Sequence, residues 1–363
     1  MEGGKNYDSL PGDITLRIFS LLPLYLVVLR LRLVCKVWYA LITGFADEYL
    51  KRSKETSLGI VCCNSRRISS GVCSLDISSL QIIGGIKTLM TKTLSTSPRF
   101  AFNNSINGLI CLDNAKNNIH VFNPTTGEFV TLPPCYLSFI SSYIFGFGYC
   151  PLTKQYKAVK IFQDFFKFVT PVKVAVITVG APSNSWRIIE SSPPYKCFGE
   201  AIYLIGTLFW LSYTKEIMPL VITAFDVSDE TFRIIRLPPK VYSRILNCLA
   251  EQEGRLCLVK FDCEKEYIDL LEDFHWISQY RVSMKDFEPH CANHNLISYH
   301  EFLCLKKGKI TLWSKLMQRW IFYDIKSRAI ETIQVGDADE KMIAIRELLI
   351  CPYEESLSPI CSC

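Results

Sequence analysis

FNPTTGEFVTLPP, running from Phe122 to Pro134, reads as two short strands joined by a polar turn. Asn123 can hydrogen-bond the backbone of its own turn, and Gly127 suits the left-handed position that such a reversal requires. The pattern returns in AFDVSDETFRIIRLPP from Ala224 and in FYDIKSRAIETIQV from Phe322. Each copy has an apolar or aromatic residue, then Asn123, Asp226 or Asp324, a polar turn, a second strand and an apolar close. A looser fourth copy, GYCPLTKQYKAVKIF from Gly148, places Cys150 at the acidic position.

Asn123 and Asp226 are separated by 103 residues, Asp226 and Asp324 by 98. Both intervals are near twice the ~50-residue repeat of kelch-type propeller blades. Radial packing of small twisted sheets buries both faces of each sheet and leaves only short, protected edges. From about Ser97 to Pro352, short apolar runs alternate with clusters of Gly, Pro, Asn, Asp and Thr, and helix-period segments are nearly absent. The expectation is therefore an all-β, propeller-like domain over residues 97–352. A β-sandwich, or a pair of sheets with recurrent hairpins, is the competing arrangement. Ile60 to Gly85 also looks strand-like and Lys87 to Pro98 looks like a polar connection. Residues 55–96 are read as a connecting segment, with the first strands of the β domain as its alternative, and residues 353–363 as a C-terminal tail.

Ahead of this domain the periodicity changes. In LPGDITLRIFSLLP, from Leu10 to Pro23, Pro11 stands where a helix can begin and Asp13 adds negative charge near its positive end. Ile14, Ile18, Leu21 and Leu22 recur on one helical face, with Thr15, Arg17 and Ser20 largely elsewhere. Pro23 ends the helix, because the residue before a proline is pushed out of the α region. LYLVVLRLRLV then sets Leu26, Leu29 and Leu33 at helical spacing, and CKVWYALI groups Trp38, Leu41 and Ile42. Three short helices over residues 7–54 fit this pattern. A unit that small has little interior of its own and is marginal unless a partner stabilises it.

At 363 residues the chain exceeds what one core usually serves, which favours a small module plus one large domain. Its net charge is only +5 and its basic residues are dispersed, which speaks against nucleic acid as a partner. A membrane partner is not expected either. Leu21 to Leu29, the longest uncharged apolar stretch of the module, falls well short of the ~20 residues that span a bilayer. MEGGKNYDSLPGD has no apolar segment of the signal-peptide kind, so the expected location is cytoplasmic or nuclear. The 16 cysteines are irregularly spaced and often lie within apolar strands, so free thiols are expected. The triplet Asn103-Asn104-Ser105 accordingly carries no weight as a glycosylation site.

Candidate chemistry is sparse. His290, Cys291, His294, His300 and Cys304 resemble metal ligands, and alternation would set His300 and Cys304 on one face; their spacing fits no familiar zinc site, and polar residues beside a strand explain them more simply. With so many cysteines, chance pairing with a histidine is cheap, and a nucleophile also needs an orienting third group. Gly84-Gly85-Ile86-Lys87-Thr88 lacks the first glycine of a phosphate loop and reads as a turn. Trp186, Trp210, Trp276, Trp313 and Trp320 are expected mainly as core. PPCYLSFISSYIFGFGY from Pro133 and QDFFKFVTPVKV from Gln163 are rich enough in apolar groups to mark an interaction surface, or else ordinary strands. No cofactor is expected.

Leu10-Pro11, Ile14, Ile18, Leu22-Pro23, Val34-Cys35-Lys36, Trp38 and Leu41-Ile42 resemble, in order and N-terminal placement, the F-box of plant F-box proteins. Between Pro23 and Trp38 this chain carries one residue more than the usual pattern. NGLICL (Asn107 to Leu112), FNPTTGEFVTLPP, FGFGYCPLTKQYKAVKIF, NSWRIIE (Asn184 to Glu190), IGTLFWLS (Ile205 to Ser212) and AFDVSDETFRIIRLP are similar, in the same order, to stations of the F-box-associated domain. ITLWSKLMQRWIFYDIKSRAIETI resembles its end more loosely. The resemblance leaves open the S-locus F-box subgroup of pollen. It implies a non-catalytic substrate receptor, its F-box docked on a Skp-type adaptor and through it a cullin, its β domain holding a target protein for ubiquitination. The residues it implies for adaptor contact are Leu10, Pro11, Ile14, Ile18, Leu22, Pro23, Val34, Cys35, Trp38, Leu41 and Ile42, some of which must instead hold the helices together. A glycan-binding F-box receptor and a propeller hydrolase are the rival readings.

Overall fold

The computed structural model describes residues 11–20, 31–42, 59–68, 72–81, 85–91, 100–114, 119–123, 126–135, 142–164, 172–183, 185–213, 220–237, 247–252, 254–262, 267–272, 277–283, 300–306, 309–314, 319–334, 348–353, 356 and 359–360. Helix α1 spans Gly12–Ser20, a 3-10 turn spans Leu31–Leu33, and α2 covers residues 36–42. Two α-helices are thus present among the described residues where three were expected. Most of the expected middle helix, residues 21–30, lies outside them. Its end at Leu31–Leu33 is a single turn closed by the Val34 N–H on the Leu31 carbonyl at 3.1 Å. Leu33, expected on the apolar face of that helix, is 74% exposed.

The remaining described residues form mainly antiparallel β structure in six four-stranded sheets. The first sheet combines β1 (Gly59–Ile68), β2 (Val72–Gln81) and β3 (Gly85–Thr91) with the last strand, β24 (Leu348–Tyr353), in the order β24-β1-β2-β3. The second holds β4 (Phe100–Ile106), β5 (Leu109–Asn114), β6 (Ile119–Phe122) and β7 (Phe129–Leu132). The third holds β8 (Tyr143–Cys150), β9 (Gln155–Phe162), β10 (Lys173–Thr178) and β11 (Arg187–Ile189). The fourth is β12 (Lys196–Leu204), β13 (Thr207–Tyr213), β14 (Leu220–Asp226) and β15 (Phe232–Arg236). The fifth is β16 (Asn247–Gln252), β17 (Arg255–Asp262), β18 (Tyr267–Glu272) and β19 (Ile277–Ser283). The sixth is β20 (His300–Lys306), β21 (Lys309–Ser314), β22 (Arg319–Asp324) and β23 (Ile330–Gln334). Lys87 to Thr91, expected within a polar connection, belongs to β3 and pairs with β2. Ile86, Lys87 and Thr88 likewise form strand rather than the expected turn.

The repeated Asn/Asp stretches are the turns between third and fourth strands of the second, fourth and sixth sheets, which is why their spacing covers two sheets at a time. One geometry serves all three. The N–H groups of Gly127, Glu230 and Arg328 donate to the carbonyls of Asn123, Asp226 and Asp324 at 2.9, 2.9 and 2.8 Å. These donors sit at φ of 74°, 60° and 57°. Asp226 Oδ1 also accepts from the Ser228 N–H at 2.8 Å, and Asp324 Oδ1 from the Ser327 N–H at 2.9 Å. In the looser copy Lys154 takes the left-handed position at φ 55°, but this turn joins the first two strands of the third sheet.

The core lies in the seams between sheets. Ile106, Leu109, Val121, Phe147, Ala158 and Ile177 fill the seam of the second and third sheets. Ile144, Val159, Val174, Leu208, Trp210 and Phe225 fill that of the third and fourth. Leu211, Ile222, Leu249 and Leu258 fill that of the fourth and fifth. Strands such as β9 and β13 are therefore buried on both faces along nearly their whole length; β13 reads as a nearly continuous apolar run, whereas β9 keeps Lys157 and Lys160 inside. First strands also meet from sheet to sheet in cyclic order: β4 by β8, β8 by β12, β12 by β16, β16 by β20, β20 by β24 and β24 by β4.

Polar side chains finish the seams. Gln163 Nε2 donates to the Cys197 carbonyl, and the Cys197 N–H donates back to Gln163 Oε1 at 3.1 Å. The buried amide thereby pairs with a strand as a backbone would. Across the same seam Lys157 Nζ donates to the Val227 carbonyl and to Glu230 Oε1, both at 2.7 Å, and Arg187 donates to the same carboxylate oxygen. Burial pushes Glu230 toward the acid form, but the bonds from Arg187 and Lys157 outweigh it and hold the carboxyl below its ordinary range.

Candidate interaction face of the helical module

Helix α1 begins as the Ile14 and Thr15 N–H groups donate to the Pro11 carbonyl, at 3.0 and 3.1 Å. Thr15 spends its hydroxyl on the same carbonyl at 3.3 Å, which lets it sit 3% exposed on the inner face. Helix α2 is capped by sulfur: Cys35 Sγ accepts the Trp38 N–H at 3.4 Å, while its carbonyl accepts from the Tyr39 N–H at 3.0 Å. That is the position usually held by a Ser, Thr, Asp or Asn oxygen.

The module's interior is Phe19 and Ile42, with Leu16, Leu31 and Trp38 packed on them. Phe19 and Trp38 meet edge to face with centroids 5.0 Å apart. The inward face of α1 is therefore Thr15, Leu16 and Phe19, and Ile14 and Ile18 form a second apolar stripe that faces out, 48% and 45% exposed. Val34 and Val37 are exposed as well. Of the residues expected at an interface, Pro11, Ile14, Ile18 and Val34 are on the surface; Cys35, Trp38 and Leu41 are half-buried; Ile42 is interior. Leu10, Leu22 and Pro23 lie outside the described residues. Leu16 and Phe19 escaped the sequence reading. Their signal was present as a second apolar spacing, i to i+3, interleaved with Ile14 and Ile18.

In the β body, the described titratable groups are arranged for packing. The Cys197 thiol is pushed up to about 11 by burial, and it accepts from Ser212, whose hydroxyl also meets Thr223 at 2.7 Å. Such a thiol is not a nucleophile at neutral pH. Lys160 is buried between the Tyr143 and Trp186 rings, 4.2 and 5.3 Å from their centroids. Among the described residues no group of His, Cys, Asp and Glu could hold a metal ion. His290, Cys291 and His294 lie outside the described residues, and a register shift between Phe302 and Cys304 interrupts the alternation expected to unite His300 with Cys304. The cysteines at 35, 111, 135, 150, 197, 248 and 257 are thiols that form no disulfide. No helix among the described residues is long and apolar enough to cross a membrane.

The described residues thus give a helical module with a small apolar interior and an exposed apolar stripe, followed by a body of repeated antiparallel sheets. Residues 7–53 match the F-box-like family and residues 69–354 match the family described as the F-box associated beta propeller domain. The chain belongs to the F-box proteins that carry this domain. It is 26% identical to the F-box protein CPR1 of Arabidopsis thaliana, over 91% of this chain and 85% of that protein. To the F-box protein At3g07870 of the same plant it is 27% identical over 71% of this chain and 67% of that protein. Among solved structures it is similar to a chain of the nidogen/laminin complex, with 12% identity, a TM-score of 0.43, and coverage of 82% of this chain and 99% of that one.

Proposed function

We propose that this chain is the substrate receptor of a Skp–cullin–F-box ubiquitin ligase. The Ile14 and Ile18 stripe, with Pro11 and Val34, is its adaptor face. Leu10, Leu22 and Pro23 extend that face in this reading, and a middle helix ahead of the Leu31–Leu33 turn completes a three-helix F-box. The observation that carries the proposal is the division of apolar groups on α1, since Leu16 and Phe19 already serve the interior and exposed stripes of this kind mark protein interfaces. The six sheets then form a closed propeller over a domain of residues 97–352 joined by the strands of residues 55–96. The cyclic order of first-strand neighbours supports this arrangement. The β body holds a target protein, in the cytoplasm or the nucleus, without nucleic acid, membrane or cofactor. The chain makes and breaks no bonds. Carrying two binding surfaces on one body, it raises the concentration of target near the ubiquitin carrier.

Co-expression with a Skp-type adaptor tests the adaptor half. The full chain is captured, and the Ile14→Asp, Ile18→Asp double variant escapes capture while keeping its helical signal. Equal capture of both would sink the assignment of this face. For the target half, proteins captured from plant cells under proteasome inhibition are compared between the full chain and one lacking residues 1–52. Targets are enriched with both, adaptor and cullin only with the first.

A further inference from the structure

Beyond Tyr353, the end of β24, Ser356 and Ile360 lie against the second sheet. The buried Asn123 donates from Nδ2 to the Ser356 carbonyl at 2.9 Å. Its Oδ1 meanwhile accepts the Thr126 N–H at 3.3 Å, so one amide holds both its own turn and the tail. Four residues on, the Ile360 N–H donates to Glu128 Oε2 at 3.0 Å. The Ile360 side chain is 3% exposed and belongs to the core cluster of the seam between the second and third sheets, with Ile106, Leu109 and Leu132 on one side and Phe147 and Ile177 on the other.

We infer that Ser356 and Ile360 are the anchors of a C-terminal strap that tethers three consecutive sheets. β24 lies in the first sheet, Asn123 and Glu128 of the second hold Ser356 and Ile360, and the Ile360 side chain fills the seam with the third. Two features set this apart from a tail at rest. Asn123 is an asparagine where the equivalent turns carry Asp226 and Asp324, and only an amide has the N–H that the Ser356 carbonyl requires. Glu128 likewise supplies a charged acceptor to a backbone N–H, the stronger kind of hydrogen bond. The second sheet thus uses side chains of its own turn to hold a segment more than two hundred residues away in sequence. Because β24 pairs with β1, the strap also braces the first sheet, the one that follows the helical module in sequence.

The test is hydrogen exchange of the full chain, co-expressed with its adaptor, against a chain ending at Tyr353 and against Ile360→Ala and Asn123→Asp. In the shortened chain, amides of β4 to β7 and of β24 exchange on the order of ten-fold faster, and those of β13 and β14 do not change, as expected when one cooperative unit is loosened. Asn123→Asp, which keeps the turn and loses the donor, reproduces part of that acceleration. A synthetic peptide of residues 354–363 added to the shortened chain restores protection. Unchanged exchange in Asn123→Asp and Ile360→Ala, or a uniform acceleration across all sheets, would overturn the strap. Should the shortened chain fail to fold, the two point variants decide alone.

Discussion

At Phe19 and Ile18, adjacent in sequence, opposite consequences follow from one turn of helix. Phe19→Ala removes the ring that Trp38 and Ile42 rest on, at a cost of about 3–5 kcal/mol, enough to melt so small a module; its helical signal should vanish from the isolated fragment and return with adaptor present. Ile18→Ser changes an exposed site and is expected within about 0.5 kcal/mol of neutral for folding, while adaptor affinity, read by calorimetry, falls by about 2 kcal/mol or more if the residue is a hot spot. A second residue-scale prediction concerns the seam of the second and third sheets. Burial raises Asp113 to about 6 and lowers Lys160 to about 8, although each charge partly restores the other. The Tyr143 hydroxyl, which donates to Asp113 at 2.9 Å, and the buried thiols of Cys111 and Cys135 are the other titratable groups in this cluster. Asp113 is raised in the fold, so its contribution is present at low pH and is lost as pH climbs from about 4 through 6. Lys160 is depressed, so its contribution grows as pH climbs from 8 toward 10.5. Between 6 and 8 both are charged and the seam is at its weakest. Lys160→Met should move Asp113 above 6, because the cation beside it is gone, and Asp113→Asn should move Lys160 below 8; NMR titration of either group reads the sign directly.

Among the elements, β8 shows how closely neighbouring sheets approach. A Cβ on Gly146 would lie 2.5 Å from Trp210 Cζ2, and the indole is fully buried with its N–H on the Phe145 carbonyl. Gly146→Ala is therefore expected to destabilise by about 1–3 kcal/mol, and Trp210→Phe in the same chain should recover part of that, a coupling that a double-mutant cycle in urea measures. Such a contact is invisible in sequence, since FGFGY names the glycines but not the ring across the seam. What was legible was whatever local geometry dictates. The Asn123, Asp226 and Asp324 turns could be read because one side chain bonds its own backbone. A further repeat went unread: Asn107-Gly108, Ile205-Gly206 and the turn at Gly254 close first hairpins with glycine at φ of 75°, 79° and 78°. Gly206 and Gly254 belong to consecutive sheets and lie 48 residues apart, so this second repeat would have divided the two-sheet interval. Gln163 had no such signal, because a polar residue at a strand end looks like solvent-facing loop until its partner strand is placed beside it. The inner face of α1 went unread for a related reason. Thr15 reads as polar, and only its bond to the Pro11 carbonyl makes it an inner residue.

For the whole molecule, the decisive pairing is β1 with β24, in which Gly59 opposes Tyr353. In an otherwise unfolded chain, closing a loop of that length rather than a ten-residue hairpin costs about 3 kcal/mol more by the logarithmic law. The penalty shrinks once the five intervening sheets, each a local meander, have formed and brought the chain ends together. The first sheet should consequently be the last to fold and the first to open. Native-state hydrogen exchange in rising urea is expected to show β1 and β24 opening at a lower free energy than β9 and β13, whose faces are both sealed in seams. Equal protection across all six sheets would show instead that the sheets close as one cooperative unit. Ending the chain at Glu347 goes further than loss of the strap. It turns the ten-residue β1 into a bare edge, the kind of edge that templates aggregation, and the soluble fraction should collapse. The chain would then lose the body proposed to hold a target through the sheet that follows the F-box in sequence, even though every residue of the proposed adaptor face is intact.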